Sequence, residues 1–372
     1  MEGRFGGPQT RIAAVAERLK DRGIETIVVF PKDDSEIFRY RLIKSGVSYK
    51  RFRLHRLTRE PFHLCLFFLL FVPELMSLYR FFINKKIHIV HCNGAWELKT
   101  ALAGKLAGCK VIWHLNDTSM PLAIRRSFRL LASLLCSGII TAGEKVKSYY
   151  LNNSLLEQKE VIEIQAPVDT VHFDPVRSGV NDFINSLQGS KIITIANINP
   201  VKGIEYFLEM ASLLNNQYED LNFLIIGSML KSQREYLKEL TRFVQTSKLE
   251  NVHFVGPSAD IASMLKASDI YVCSSIAEAS PISVWEAMAM GKAIVTSDVG
   301  DVTRFIKDGE NGFVVPVLNA RTLAERVSLL IEDDSLRFSF GKRAREIAVD
   351  FLDIDICVKK HEEFYWRIFN GT

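Results

Sequence analysis

The stretch SSIAEASPISVWEAMAMGKAIVTSDVG, residues 274–300, is the densest signal in the chain. It leaves a strand, DIYVCSS (269–275), crosses a polar loop, and enters a short apolar helix that Pro281 opens and Gly291 ends. It then returns to a strand, KAIVTSD (292–298), which makes it a βαβ unit. Glu278 falls in the loop and Glu286 in the helix. With Ser280 as cap and the helix running from Pro281 and Ile282, its free amides suit the diphosphate of a nucleotide. Glu286 is then placed to accept hydrogen bonds from ribose hydroxyls, and Glu278 to reach a sugar or its leaving group. The competing reading is a capping box, with Ser283 as cap, Glu286 at N3 and Glu278 exposed.

Working outward, the same rhythm covers the chain. KIITIANINP (191–200), LNFLIIGS (221–228) and NVHFVG (251–256) read as strands, and a helix starts near Lys202-Gly203, where the ammonium is placed to neutralise a diphosphate. The polar stretch SGVNDFINSLQGS (178–190) marks a domain boundary. In the first half, IAAVAERLKDR (12–22) is a helix stopped by Gly23, preceded by EGRFGGPQTR, whose Gly3, Gly6 and Gly7 let backbone approach a ligand. IETIVVF, IHIVHCNG (87–94), KVIWHLND (110–117), GIITAG (138–143) and VIEIQAPVD (161–169) follow as strands. His91, Asn93, His114, Asn116 and Asp117 stand at carboxyl ends of strands, where an open parallel sheet has its ligand crevice. The expected fold is α/β, two doubly wound domains of 1–175 and 186–350, with an apolar terminal segment, 351–372, that packs on protein.

Lysine and arginine exceed aspartate and glutamate by 47 to 43, too small an excess to indicate a nucleic-acid partner. The six cysteines lie far apart with no metal-ligand spacing, so free thiols, no metal site and a cytoplasmic location are expected. LCLFFLLFV (64–72) is too short to span a bilayer. Just before it, Lys50, Arg51, Arg53, Arg56 and Arg59 alternate with apolar residues. Residues 49–82 therefore suit peripheral contact with an anionic membrane; the alternative is a basic edge strand followed by a buried helix.

These motifs resemble the retaining GT-B glycosyltransferases of family 4, over nearly the whole chain. The match consists of Gly6-Gly7, PVKG (200–203), the E-x7-E pair Glu278 and Glu286 with AMAMGKAIVTSDVG after it, and DGENGFVVP (308–316). The resemblance implies two Rossmann-like domains facing a central cleft, with the first on the acceptor side and the nucleotide-sugar on the second. It implies a terminal helix crossing back to the first domain, Lys202 on the donor phosphates, Glu278 on the sugar and Glu286 on the ribose. The family's first-domain histidine falls at His114 or, by its place before Asp117, at Asn116. Three positions depart from the pattern: Asn197 replaces a frequent arginine, Ala279-Ser280 replace Gly-Phe, and the strand usually preceding the GG loop is not expected, because Met1 stands only five residues before Gly6.

The implied activity is transfer of a sugar from a UDP- or GDP-sugar to a hydroxyl acceptor, a lipid-linked or cell-envelope glycan, without a metal. The alternative is a non-catalytic nucleotide-sugar or glycan-binding protein of the same fold. A dinucleotide oxidoreductase fits less well, since no G-x-G-x-x-G follows a strand.

Overall fold

The computed structural model describes residues 7–33, 35–55, 57, 60–229 and 233–371. The chain forms two compact units: one runs to Ala166 and resumes at Ile354, and the other is Pro167–Asp353.

The second unit is built on six parallel strands, β7 (Ser190–Ile195), β8 (Leu221–Ile226), β9 (Val252–Gly256), β10 (Ile270–Cys273), β11 (Ala293–Ser297) and β12 (Phe313–Val315), in the order β12-β11-β10-β7-β8-β9. Helices cover both faces, which is why runs such as FLII (223–226) are continuously apolar. One face packs Trp285, Met288 and Tyr271; the other packs Phe207, Phe223 and Leu214, all of them buried. The chain builds from β7 to β8 and β9, then crosses to β10 on the other side. The reversal of strand order thus falls between β7 and β10, where open sheets of this class carry their ligand crevice.

The change of unit precedes the polar stretch at 178–190. Val168 donates to the Leu352 carbonyl at 2.9 Å, and Phe173 and Ile184 enter the core of the second unit. The stretch itself contains a short helix, Asp182–Ser186, capped by Asn181. Its polar residues face the surface of the second unit, within which the whole stretch lies.

In the first unit, β1 (Ile27–Pro31) pairs with β2 (Ser48–Phe52), while β3 (Ile89–Asn93), β4 (Lys110–Leu115), β5 (Gly138–Thr141) and β6 (Glu160–Glu163) form a separate parallel sheet. The first helix, Gly7–Lys20, begins earlier than its apolar pattern. Gly3 and Gly6 lie outside the described residues. The terminal helix, Ile354–Asn370, buries Cys357, Val358, Phe364 and Ile368 in one core with Val15, Leu19, Ile112 and Ile140.

Residues 61–84 form two helices, Pro61–Leu69 and Phe71–Asn84, bent by 53°. No single helix among the described residues is long and apolar enough to cross a membrane. The basic residues before them do include an edge strand, β2, but the helix that follows is not buried: Phe62, Phe68, Leu69 and Val72 are exposed. Pro73 lies within the first turn of the second helix, where its missing N–H is tolerated, so the break falls at Leu70 instead. That helix is amphipathic: Leu75, Leu78 and Phe82 face the core, and the buried Glu74 carboxylate pairs with Lys99. Arg56 and Arg59 are outside the described residues.

Because Phe364 is fully buried between the terminal helix and the first core, Phe364→Ala should cost about 3–5 kcal/mol. Urea denaturation followed by a probe in the first unit should show this as a lower midpoint, and an unchanged midpoint would contradict the packing described.

Candidate functional site

The carboxyl edge of the second sheet gathers the loops that carry the sequence motifs. After β7 the chain passes Asn197, makes a tight turn at Pro200–Lys202 and reaches Gly203, which opens the helix Ile204–Asn215. Asn199 caps this turn by accepting from the Val201 N–H at 2.8 Å. Gly203 has φ +58°, and a Cβ there would lie 2.2 Å from the carbonyl oxygen of Ser274, the first residue after β10. Only glycine allows that approach. The contact is reinforced by Ile276 N–H donating to the Val201 carbonyl (2.8 Å) and the Ser274 hydroxyl donating to the Lys202 carbonyl (3.3 Å). On the other side, Gly300 (φ +53°) comes equally close to the loop after β10, its missing Cβ 2.4 Å from the Ala279 carbonyl oxygen.

These contacts bring Lys202 and Glu278 together across the point where strand order reverses. The Lys202 ammonium donates to the Glu278 carboxylate, and the same oxygen accepts from the Ser275 hydroxyl at 2.9 Å. Both side chains are only partly exposed, 26% and 16%, so the pair is held yet reachable.

The next helix, Ile282–Ala289, follows Pro281 directly. Ser280 does not cap it; its hydroxyl accepts from the Trp285 indole at 3.1 Å. The capping-box alternative also fails, because Ser283 lies inside the helix and takes a hydrogen bond from Tyr271 (2.9 Å). Pro281 at the cap position offers no side-chain hydrogen bond and no acid lies in the first turn, so the N-terminal amides retain their attraction for an anion. Glu286 lies one turn further in, partly exposed, and no hydrogen bond or ion pair engages its carboxylate among the described residues. Burial pushes its pKa up to about 8. Asn197 is exposed and held by Ser228, whose hydroxyl donates to it at 2.8 Å. The DGENG segment is turn machinery: Asp308 accepts from the Val314 N–H, and buried Asn311 bridges Lys307 and Phe305.

The first unit brings together a different group. His114 is buried, 1% exposed, with both ring nitrogens engaged: Nε2 by Arg11 and Nδ1 by His91. Asn116 is half-buried, accepts from Arg11 at 3.0 Å and donates to Asn93 Oδ1 at 3.0 Å. Gly7 is the exposed first residue of the first helix. Arg11 escaped the sequence reading, although the signal was present. It shares a helix face with Val15 and Leu19, at four-residue spacing, where an apolar side chain is expected.

Comparison with known proteins is consistent across both units. Residues 183–347 match the model described as Glycosyl transferases group 1, and residues 5–172 match Glycosyltransferase Family 4. The chain is 26% identical over 371 residues to the N,N'-diacetylbacillosaminyl-diphospho-undecaprenol alpha-1,3-N-acetylgalactosaminyltransferase of Campylobacter jejuni, covering 96% of this chain and 95% of that one. It is 23% identical over 314 residues to the UDP-Gal:alpha-D-GlcNAc-diphosphoundecaprenol alpha-1,3-galactosyltransferase of Escherichia coli, covering 79% of each. Among solved structures, Anabaena HepE in complex with UDP and glucose superposes with a TM-score of 0.84 at 19% identity, over 98% of this chain and 97% of that one. A glycosyltransferase from Rickettsia africae gives 0.83 at 18%, over 99% and 96%.

The raised pKa of Glu286 makes a stability prediction. Between about pH 4.5 and 8 the folded unit keeps a proton that the unfolded chain releases, so this group's contribution is full below 4.5 and lost as pH rises to 8. Glu286→Gln removes the titration. Its gain in urea midpoint over the parent protein should grow from pH 5 to pH 8.5; a gain independent of pH would refute the assignment.

Proposed function

Since this chain belongs to the group 1, family 4 glycosyltransferases and has their GT-B type of fold, we propose that it moves a sugar from a nucleoside-diphosphate sugar onto a lipid-linked glycan of the cell envelope, with retention at the anomeric carbon. The observation that carries this reading is the Lys202–Glu278 pair at the reversal point of the second sheet, beside a helix with Pro281 at its cap position and a Glu286 without a partner among the described residues.

In this scheme Glu286 accepts from the ribose hydroxyls, and the amides after Pro281, with Ser280 and Ile282 alongside, take the diphosphate. Lys202 turns from Glu278 to the phosphates as the donor enters, which frees Glu278 for hydroxyls of the sugar. The bond from the anomeric carbon to the phosphate oxygen breaks, and its electron pair leaves with the nucleotide. Lys202 and the helix dipole stabilise that charge, and no metal enters the scheme. The acceptor oxygen attacks from the same face, and a phosphate oxygen takes its proton. Asn197, short and neutral, leaves charge compensation to Lys202. Within the first unit, Asn116 is the better placed of the two residues considered for the family's histidine position, because His114 is enclosed.

The lipid-linked acceptor is supported by the names of two relatives, both of which specify an undecaprenyl diphosphate-linked sugar. It is supported too by the exposed Phe62, Phe68, Leu69 and Val72 on the bent helix pair. Phe52 packs edge-on against Phe81 (5.4 Å), which sets the end of β2, with exposed Lys50 and Arg53, beside the second of these helices. Apolar side chains next to cations suit peripheral attachment to the inner face of an anionic membrane.

Two experiments test this. Titration with UDP, GDP and ADP and their sugar conjugates should give micromolar binding for one base, weakened about tenfold or more by Glu286→Ala and by Lys202→Ala. No binding by the folded protein would overturn the donor site, and binding without transfer to any acceptor would favour a non-catalytic role. In co-sedimentation, phosphatidylglycerol vesicles should capture the protein better than phosphatidylcholine vesicles, and Phe68→Ser with Leu69→Ser should reduce capture; equal capture would remove the membrane contact.

A further inference from the structure

Arg11 is an unusual core residue: a guanidinium 7% exposed that meets no carboxylate among the described residues. It donates through Nη1 to His114 Nε2 (3.2 Å) and Asn116 Oδ1 (3.0 Å), and through Nη2 to Asn93 Oδ1. Burial lowers its pKa to about 10, so it is still charged at neutral pH.

A guanidinium only donates, and this fixes everything beyond it. His114 Nε2 must accept, so His114 carries its proton on Nδ1 and donates to His91 Nε2 at 3.1 Å. His91 therefore carries its own proton on Nδ1 and donates to the Tyr365 hydroxyl at 2.6 Å. Tyr365 belongs to the terminal helix. From the same helix, His361 stacks on His91 (5.9 Å between rings) and gives its Nδ1–H to the Cys357 carbonyl (2.8 Å). Arg11, His91, His114, His361, Tyr365 and Cys357 are the titratable groups of this cluster. A proton added to either of the first two histidines would set donor against donor, so both stay neutral beside the guanidinium, in line with their lowered pKa values. The result is a hydrogen-bond chain with one allowed direction.

The same rule orients the carboxamides at the edge of the sheet. Arg11 holds the oxygens of Asn93 and Asn116 inward. Asn116 spends its amide hydrogens on Asn93 Oδ1 and the His114 carbonyl (3.3 Å). The amide hydrogens of half-buried Asn93, at the carboxyl end of β3, meet no partner among the described residues. Flipping Asn93 would turn its hydrogens onto the guanidinium, which the charge forbids.

We propose that Arg11 is a positioning residue for the acceptor, locked from the terminal helix through Tyr365, His91 and His114, and that it fixes Asn93 as a hydrogen-bond donor to an oxygen of the acceptor's sugar or phosphate. This rests on the reading that the first unit receives the acceptor.

The test combines kinetics with spectroscopy. In Arg11→Met and Tyr365→Phe, KM for a polyprenyl diphosphate-linked sugar should rise about tenfold, while affinity for the nucleotide sugar stays within twofold. His114→Gln, which keeps an acceptor for Arg11 near the Nε2 position but loses the Nδ1–H given to His91, should raise KM as Tyr365→Phe does, and His114→Phe should resemble Arg11→Met. If Arg11→Met does not fold, Tyr365→Phe, which loses one oxygen, gives the decisive comparison. An unchanged acceptor KM in a folded variant overturns the proposal, since a merely structural role would move only stability. Independently, imidazole nitrogen NMR should find His91 and His114 both protonated on Nδ1, and an Nε2–H signal from either overturns the chain. Should the parent protein transfer no sugar, the function proposed above fails, and the nitrogen spectrum alone decides this inference.

Discussion

The loops after β7 and β10 touch through Gly203 and the Ser274 carbonyl, and that contact governs the chemistry of the second unit. Neighbouring strands on either side of a reversal in strand order send their chains to opposite faces of the sheet, and their loops diverge. Here backbone meets backbone at the place of divergence, because one residue has no side chain and a left-handed conformation. Lys202 and Glu278 stand on either flank of that contact. Their pairing follows from the closeness of the loops, and the next helix presents its amides beside them because Gly300 holds the same loop from the far side. A cation, a carboxylate and a helix terminus are thus gathered from segments about eighty residues apart by two glycines.

Much of this was legible in the sequence. The strands of the second unit stand out because both faces are buried, so apolar runs have sharp ends; Glu278 and Lys202 fall in the polar segments after such runs, and Glu286 in the helix that follows. The details of the helix start were not legible. Ser280, Pro281 and Ser283 all have the chemistry of a helix N-terminus, and side-chain partners that no local rule specifies, the Trp285 indole and the Tyr271 hydroxyl, engage the two serines. The unit boundary was misplaced for a related reason: polarity at 178–190 reports a surface, and a change of unit depends on long-range pairing such as Val168 with Leu352.

The first unit hid more. Its polar interior joins residues from the first helix, β3, β4 and the terminal helix, and its bonded pair His91 and Tyr365 lies 274 positions apart. No local period encodes a hydrogen-bond chain of that kind. Arg11 looks like one more basic residue on an amphipathic helix, and its place on the buried face becomes meaningful only once its neutral acceptors are known. An enclosed polar chain of this sort carries a direction, and an apolar core has none.

The return of Ile354–Asn370 to the first unit has a consequence for how the protein is made. Its second unit is one continuous segment and is complete in sequence before residues 354–370 are made. Its first unit, although translated first, lacks Phe364, Tyr365 and Ile368 until residues 354–370 have followed the whole of the second unit. The amino-terminal part therefore waits through synthesis with part of its core uncovered, and the order of completion inverts the order of translation.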